Sequence, residues 1–207
     1  DASIGNAISP AVTFGQFNGI ATFKRCENAL SYTFQFTNAS TTTAINTTYT
    51  IEWGDGTPDS TFSSWPSGTI IRDTFPRGNS TMTVKVTGSS GCIGIKTYNV
   101  FLGTNPSGGL TSPGNTDICS SEPLMFGIAN YENNPPGTQY IFSVNDGSPE
   151  QVFQHSPPTP VSHFFAQGSC GITSGSYNNS YAAGLIITNP CGSTSSSIVP
   201  IYVSGKP

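Results

Sequence analysis

The 207-residue chain is poor in charge: 7 Lys+Arg stand against 11 Asp+Glu, a net charge of −4, and only 9% of residues are charged. A typical soluble domain carries about 25%. The few basic residues are scattered, which excludes a phosphate-tracking surface and makes nucleic acid a poor partner. No apolar run approaches the ~20 residues that span a bilayer, so no membrane insertion is expected. No signal peptide is visible, and the chain reads as a mature, soluble, extracellular fragment. Imidazole is almost missing, with His155 and His163 the only two histidines. There is no C-x-x-C pair, no H-E-x-x-H, no Walker loop and no G-x-G-x-x-G, which leaves a zinc site, a phosphate cradle or a dinucleotide site little to build on.

Polarity comes instead from Ser, Thr and Asn, at 28, 26 and 16 residues, together about a third of the chain. Gly at 23 and Pro at 16 supply many turns. The 35% of hydrophobic residues and 11% of aromatic ones exclude charge-rich disorder. Ser31–Thr37, Thr48–Trp53 and Thr81–Thr87 alternate apolar with polar residues, as half-buried strands do. Gln139–Val144, Gly184–Thr188 and Ser197–Val203 continue the strand signal, and Gly-, Pro- and Asn-rich turns separate the segments. The expected class is all-β, built as two tandem antiparallel β-sandwiches.

An internal repeat sets the domain count. Tyr49–Pro58 aligns without gaps on Tyr140–Pro149, and Phe62 meets Phe153 at the same offset. Cys26 and Cys119 each lead into an early apolar strand, whereas Cys92 and Cys191 each precede the last one. Extra residues lie around Gly171 to Tyr181. The boundary falls in Gly103–Gly109, giving domains 1–104 and 105–207.

Trp53-Gly-Asp-Gly-Thr-Pro58 after a strand, followed by Val84–Cys92, resembles the PKD domain, an immunoglobulin-like sandwich. The second half departs from that pattern, with Val144 and Asn145 in place of Trp and Gly; His163-Phe-Phe165 stands where the first half has Asp73-Thr-Phe75. In tandem, with this composition, the halves resemble long cell-surface adhesins of gliding bacteria. The resemblance implies a noncatalytic rod or adhesive segment at the cell surface. Its expected partners are neighbouring domains of the same chain and a polysaccharide or solid surface. The different-class alternative is an accessory or carbohydrate-binding module of a secreted hydrolase.

In each Asp-Gly turn, Asp55 or Asp146 is placed to accept backbone N–H bonds two residues on, a structural role. A calcium site at Asp55, Asp59 and Glu52 would bring only two or three carboxylates to an ion that takes 6–8 oxygens. His155 and His163 lack a nucleophile elbow nearby, and His163 reads as a packing residue at a strand start. No catalytic residue, metal ligand or cofactor is expected, and a monomer is. Trp53 is expected in the core; Trp65, with Tyr131, Tyr177 and Tyr181, forms the candidate set for stacking on sugar rings. Asn38, Asn46, Asn79 and Asn178 head N-glycosylation triplets if the host is eukaryotic, and Asp59-Ser-Thr61 resembles a flavobacterial O-glycosylation triplet.

Five cysteines leave one odd. The expected bridges are Cys26–Cys92 and, by the repeat, Cys119–Cys191, with Cys170–Cys191 as the alternative for the second half. The leftover cysteine is expected to be buried.

Overall fold

The computed structural model describes residues 1–6 and 12–205. The chain divides into two compact units, residues 1–104 and 105–207. The first unit contains β1 (Ile4–Asn6), β2 (Thr13–Phe17), β3 (Ile20–Cys26), β4 (Ser31–Asn38), β5 (Asn46–Glu52), β6 (Ser60–Phe62), β7 (Ile70–Pro76), β8 (Gly78–Gly88) and β9 (Ile93–Gly103). One sheet runs β1-β4-β7 and the facing one β2-β3-β9-β8-β5-β6. All pairings are antiparallel except β3 with β9, which run parallel.

The second unit contains β10 (Gly109–Thr111), β11 (Asp117–Cys119), β12 (Pro123–Ala129), β13 (Gln139–Val144), β14 (Gln151–Gln154), β15 (Val161–Phe164), β16 (Thr173–Ser174), β17 (Tyr177–Asn178), β18 (Tyr181–Asn189) and β19 (Gly192–Ser204). Its sheets run β10-β12-β15 and β11-β19-β18-β13-β14, with β11 parallel to β19. This is the order of the first unit without its β2. The extra residues near Gly171–Tyr181 form the small β16–β17 hairpin. Both units are immunoglobulin-like sandwiches.

Alternation explains the cores. In β4 the burial runs exposed-in-exposed-in, so Phe34 and Phe36 point inward with Ile51, Trp53, Phe75 and Val84. In β13, Tyr140, Phe142 and Val144 do the same against Phe126, Leu185 and Ile187. The repeat holds down to the register: Tyr49 opposes Phe62 across β5–β6, and Tyr140 opposes Phe153 across β13–β14. Trp53 is buried, as expected, and donates its indole N–H to Ser60 Oγ at 3.0 Å. It packs on Phe36 and Phe75 rather than on a bridge.

The cysteine pairing differs from expectation. Cys26 and Cys191 are disulfide-bonded, while Cys92, Cys119 and Cys170 are free and exposed. Neither Cys26–Cys92 nor Cys119–Cys191 forms, and Cys170–Cys191 does not either. The parallel pairings give the reason. Cys26 lies in register with Gly103 at the end of β9, whereas Cys92 precedes its start. At ~3.3 Å per residue that strand separates the two by roughly 33 Å, against the ~7 Å a disulfide tolerates. Cys119 lies beside Ser204, and Cys191 precedes Gly192 at the far end of β19, roughly 40 Å away. The leftover cysteine, Cys170, is exposed rather than buried because it sits in a turn at the end of β19.

Candidate functional site

The Asp-Gly turns lock as their residue types dictate. Asp55 Oδ1 accepts the Thr57 N–H at 2.9 Å and the Thr57 hydroxyl at 2.6 Å. Asp146 Oδ1 accepts the Ser148 N–H at 3.0 Å and hydroxyl at 2.5 Å. Gly54 has φ +72°, and a Cβ there would lie 2.0 Å from Thr81 O, so the turn admits glycine alone. The repeat places Asn145 at that position. Its side chain accepts the Ala182 N–H at 2.7 Å and donates to Ser174 Oγ at 2.9 Å, tying the turn to β18 and the inserted hairpin.

Each turn faces one ionisable residue from the opposite sheet, and the two units differ there. In the second unit His163 Nε2 lies 2.7 Å from Asp146 Oδ2, both side chains being nearly buried. Burial pushes the Asp146 carboxyl up, but bonds from Ser148 and His163 more than reverse this, leaving it below the ordinary range. His163 also packs edge-on against Phe165, 4.7 Å between rings. The packing role expected of it holds, and the hydrogen bond with Asp146 adds to it. In the first unit Asp73 occupies this place, so a carboxylate faces the Asp55 turn through the Thr57 hydroxyl, 3.5 Å from Asp73 Oδ2. Burial, reinforced by the Asp55 charge and opposed by the Thr74 N–H, raises the Asp73 carboxyl.

Chemically, the Ser148–Asp146–His163 chain has the carboxylate in the middle. A hydrolytic triad needs the imidazole between hydroxyl and carboxylate, because the imidazole must take the hydroxyl proton. Here His163 bonds the carboxylate and Ser148 bonds the same carboxylate, so the geometry fixes a turn. His155 stacks on Tyr140, with Nδ1 3.3 Å from the Tyr140 hydroxyl and Nε2 3.4 Å from Ser156 Oγ. Asp55, Asp59 and Glu52 do not gather, and among the described residues no group of three or more His, Cys, Asp or Glu is placed to hold a metal.

The four-aromatic contact set is not a surface platform. Trp65 is buried, its indole N–H donated to Thr69 O at 2.8 Å and its ring set against Tyr49 and Phe62. The turn that returns Thr69 N–H to Pro66 O curls the loop over its own tryptophan. Tyr181 is buried too, stacked on Phe165 with its hydroxyl donated to Gly168 O. Tyr131 packs against the second core, and of the four Tyr177 alone is exposed, on β17.

Sequence reasoning missed a polar hub around the equivalent core tyrosines. The Tyr49 hydroxyl receives Asn38 Nδ2 at 3.1 Å and Asn46 Nδ2 at 2.9 Å. The Tyr140 hydroxyl receives Asn134 Nδ2 at 2.8 Å. Buried Asn134 also clasps the incoming backbone, accepting the Ser107 N–H and donating to Ser107 O, both at 2.8 Å. The signal available was the conjunction of a core tyrosine with an Asn six residues before it in Asn133-Asn134-Pro135.

In both units the chain enters at one end of the sandwich and leaves at the other. A Cβ on Gly94, at the start of β9, would touch Asp1, and Asp1 shares a hollow with Cys92; β9 then runs to Gly103 at the other end. In the second unit a Cβ on Gly192 would touch Asn105, and β19 runs from there to Ser204. Cys92 and Cys191 therefore mark the entry poles, and Cys26 and Cys119 the exit poles.

No family model and no curated protein matches the chain. Among solved structures, the fibronectin(III)-like modules of Clostridium thermocellum CbhA are similar over 94% of this chain and 94% of that one, at 17% identity and a TM-score of 0.39. Extracellular domains 3–5 of Drosophila OTK are similar over 95% of this chain and 62% of that one, at 10% identity and a TM-score of 0.31. Latent PorU from Porphyromonas gingivalis is similar over 98% of this chain and 20% of that one, at 13% identity and a TM-score of 0.31.

Proposed function

We propose that the chain is a non-enzymatic segment of a repetitive extracellular surface adhesin, resembling the flavobacterial gliding-motility adhesin SprB. It serves as a rod and spacer that carries an adhesive surface away from the cell. The observation that carries this reading is the opposed entry and exit of the chain in each sandwich. A domain threaded end to end extends a chain with every copy added, whereas one whose termini share a pole folds back on itself. Tension applied through the termini also runs along β9 and β19, so the ladder bonds of those strands are loaded together rather than one at a time. The histidines and turn carboxylates are absorbed in holding loops, which supports a structural role.

The rival reading, an accessory or carbohydrate-binding module of a secreted hydrolase, calls for exposed aromatics to stack on sugar rings. Of the candidate set, Tyr177 alone is exposed, at 41%. The native protein's neighbouring sequence tests the choice: further sandwiches of this size are expected on the adhesin reading. A catalytic domain in the same chain would overturn it.

A further inference from the structure

β2 is the strand that the first unit has and the second lacks, and among the described residues it ends the sheet order β2-β3-β9-β8-β5-β6. The hairpin geometry fixes which of its backbone groups are already bonded. Asn18 and Gly19 have φ +49° and +79°, the two positive values of a type I′ turn, and they close the β2–β3 hairpin between Phe17 and Ile20. The closing pair exchanges ladder bonds, and bonded pairs alternate from there, so Gly15 with Thr22 and Thr13 with Lys24 are bonded too. The N–H and C=O groups of Phe14 and Gln16 therefore point away from β3, to the open edge.

Open edges are normally blunted by charge, proline or shortness. The other end strands of the two sandwiches follow that rule. β1, β6, β10 and β11 have three residues each and β14 and β15 four. The longer β7 carries Arg72, Asp73 and Pro76. β2 has five residues, Thr13-Phe-Gly-Gln-Phe17, with neither charge nor proline, and its first four are exposed. Phe14 is 54% exposed although its ring rests 4.7 Å from that of core Phe23.

We propose that this edge pairs with β2 of a second copy of the chain, antiparallel and centred on Gly15. In that register Phe14 of each copy lies opposite Gln16 of the other, so every outward N–H meets an outward C=O. Gly15 faces Gly15 at the two-fold axis, in a closely spaced non-bonded pair that no side chain obstructs. This self-match selects a second copy as the occupant, and charge agrees with it. The chain carries −4, yet an uncharged strand brings no like charges together across the ladder. A ladder of five residues is about 17 Å long, a contact below the ~1,200 Å² of stable interfaces, so the association is weak and concentration-dependent. It departs from the monomer expected from the sequence, and it does not depend on the rod reading.

Gly15 supplies the test. A Cβ there meets nothing within 4 Å, so the first unit has room for a side chain, while in the pair residue 15 faces itself. Sedimentation equilibrium of the 207-residue chain, its free thiols blocked with iodoacetamide, is expected to show monomer and dimer in exchange at concentrations up to ~1 mM. Gly15→Lys and Gly15→Glu are each expected to weaken the dimer about tenfold or more, and an equimolar mixture of the two to associate more tightly than either alone. Gln16→Pro, which removes an outward N–H and no bond to β3, is expected to abolish it. No dimer of the native sequence, a dimer indifferent to Gly15→Lys, or a mixture no tighter than its components would each overturn the proposal. Hydrogen exchange of the native sequence gives a reading that needs no variant to fold. The Phe14 and Gln16 amides should slow as concentration rises, while Gly15, already bonded to β3, does not change. Slow exchange at every concentration would mean that another segment occupies the edge, and fast exchange at every concentration that nothing does; either result overturns the pairing.

Discussion

Gly54 is the residue on which the first turn depends most. Its positive φ and the 2.0 Å approach of a Cβ to Thr81 O leave an added methyl no room, and the obstacle is backbone rather than a flexible side chain. Gly54→Ala is expected to cost about 2–4 kcal/mol, from the left-handed backbone and the forced shift of β8. Urea unfolding followed by tryptophan fluorescence measures it cleanly, because Trp53 and Trp65 both lie in the first unit. The facing carboxylates make a second, pH-dependent statement. The native Asp73 carboxyl titrates above its unfolded value, so the associated stability is complete below the unfolded pKa and is lost as pH rises through the native one. Asp73→Asn should therefore raise the first unit's urea midpoint at pH 7 and leave it unchanged near pH 3. Asp146 behaves oppositely: its contribution is present above the unfolded pKa and is lost as pH falls through the lowered native one. The Asp-Gly turns were legible in the sequence because their bonds close within two residues. The Asp146–His163 pair was not, since it joins residues 17 apart through a sheet-to-sheet contact. Trp65 misled for the same reason. Its Ser- and Pro-rich flanks read as an exposed loop, and only the tertiary fold shows that loop closing over Tyr49.

At the scale of the element, the strands were legible wherever one face is buried. Ser31–Thr37, Gln139–Val144 and their partners carry the two-residue period into β4, β13, β5, β8, β18 and β19. Direction was not legible, because alternation is the same in a parallel and an antiparallel strand. That missing sign sent the bridges to the wrong poles: placing Cys26 near the start of the last strand required β3 to run against β9. The entry of the second unit shows how a short element is held without much alternation of its own. β10 has three residues, and its approach is fixed by Asn134, which satisfies both polar groups of Ser107 and the Tyr140 hydroxyl. Asn134→Ala leaves these buried partners unmatched and is expected to destabilise the second unit by about 1–3 kcal/mol. Hydrogen exchange at the Ser107 amide should accelerate well before the strands of that core lose protection; unchanged exchange there would mean that the clasp is not what holds the segment.

For the whole molecule, the repeat produces two sandwiches with separate cores, one around Phe34, Phe36 and Trp53 and the other around Phe126, Tyr140 and Phe142. The count of two was legible because Tyr49–Pro58 and Tyr140–Pro149 repeat one strand and turn, and a Pro- and Gly-rich stretch without hydrophobic pattern lies between the copies. Both tryptophans lie in the first core, so tryptophan fluorescence follows that unit while far-ultraviolet circular dichroism sums the strands of both. Separate cores are expected to unfold as separate cooperative units. Gly54→Ala should therefore lower the urea midpoint seen by fluorescence, whereas Asn134→Ala should leave that midpoint in place and shift only the remaining part of the dichroism transition. A fluorescence midpoint that moves with Asn134→Ala would show that the two cores unfold as one.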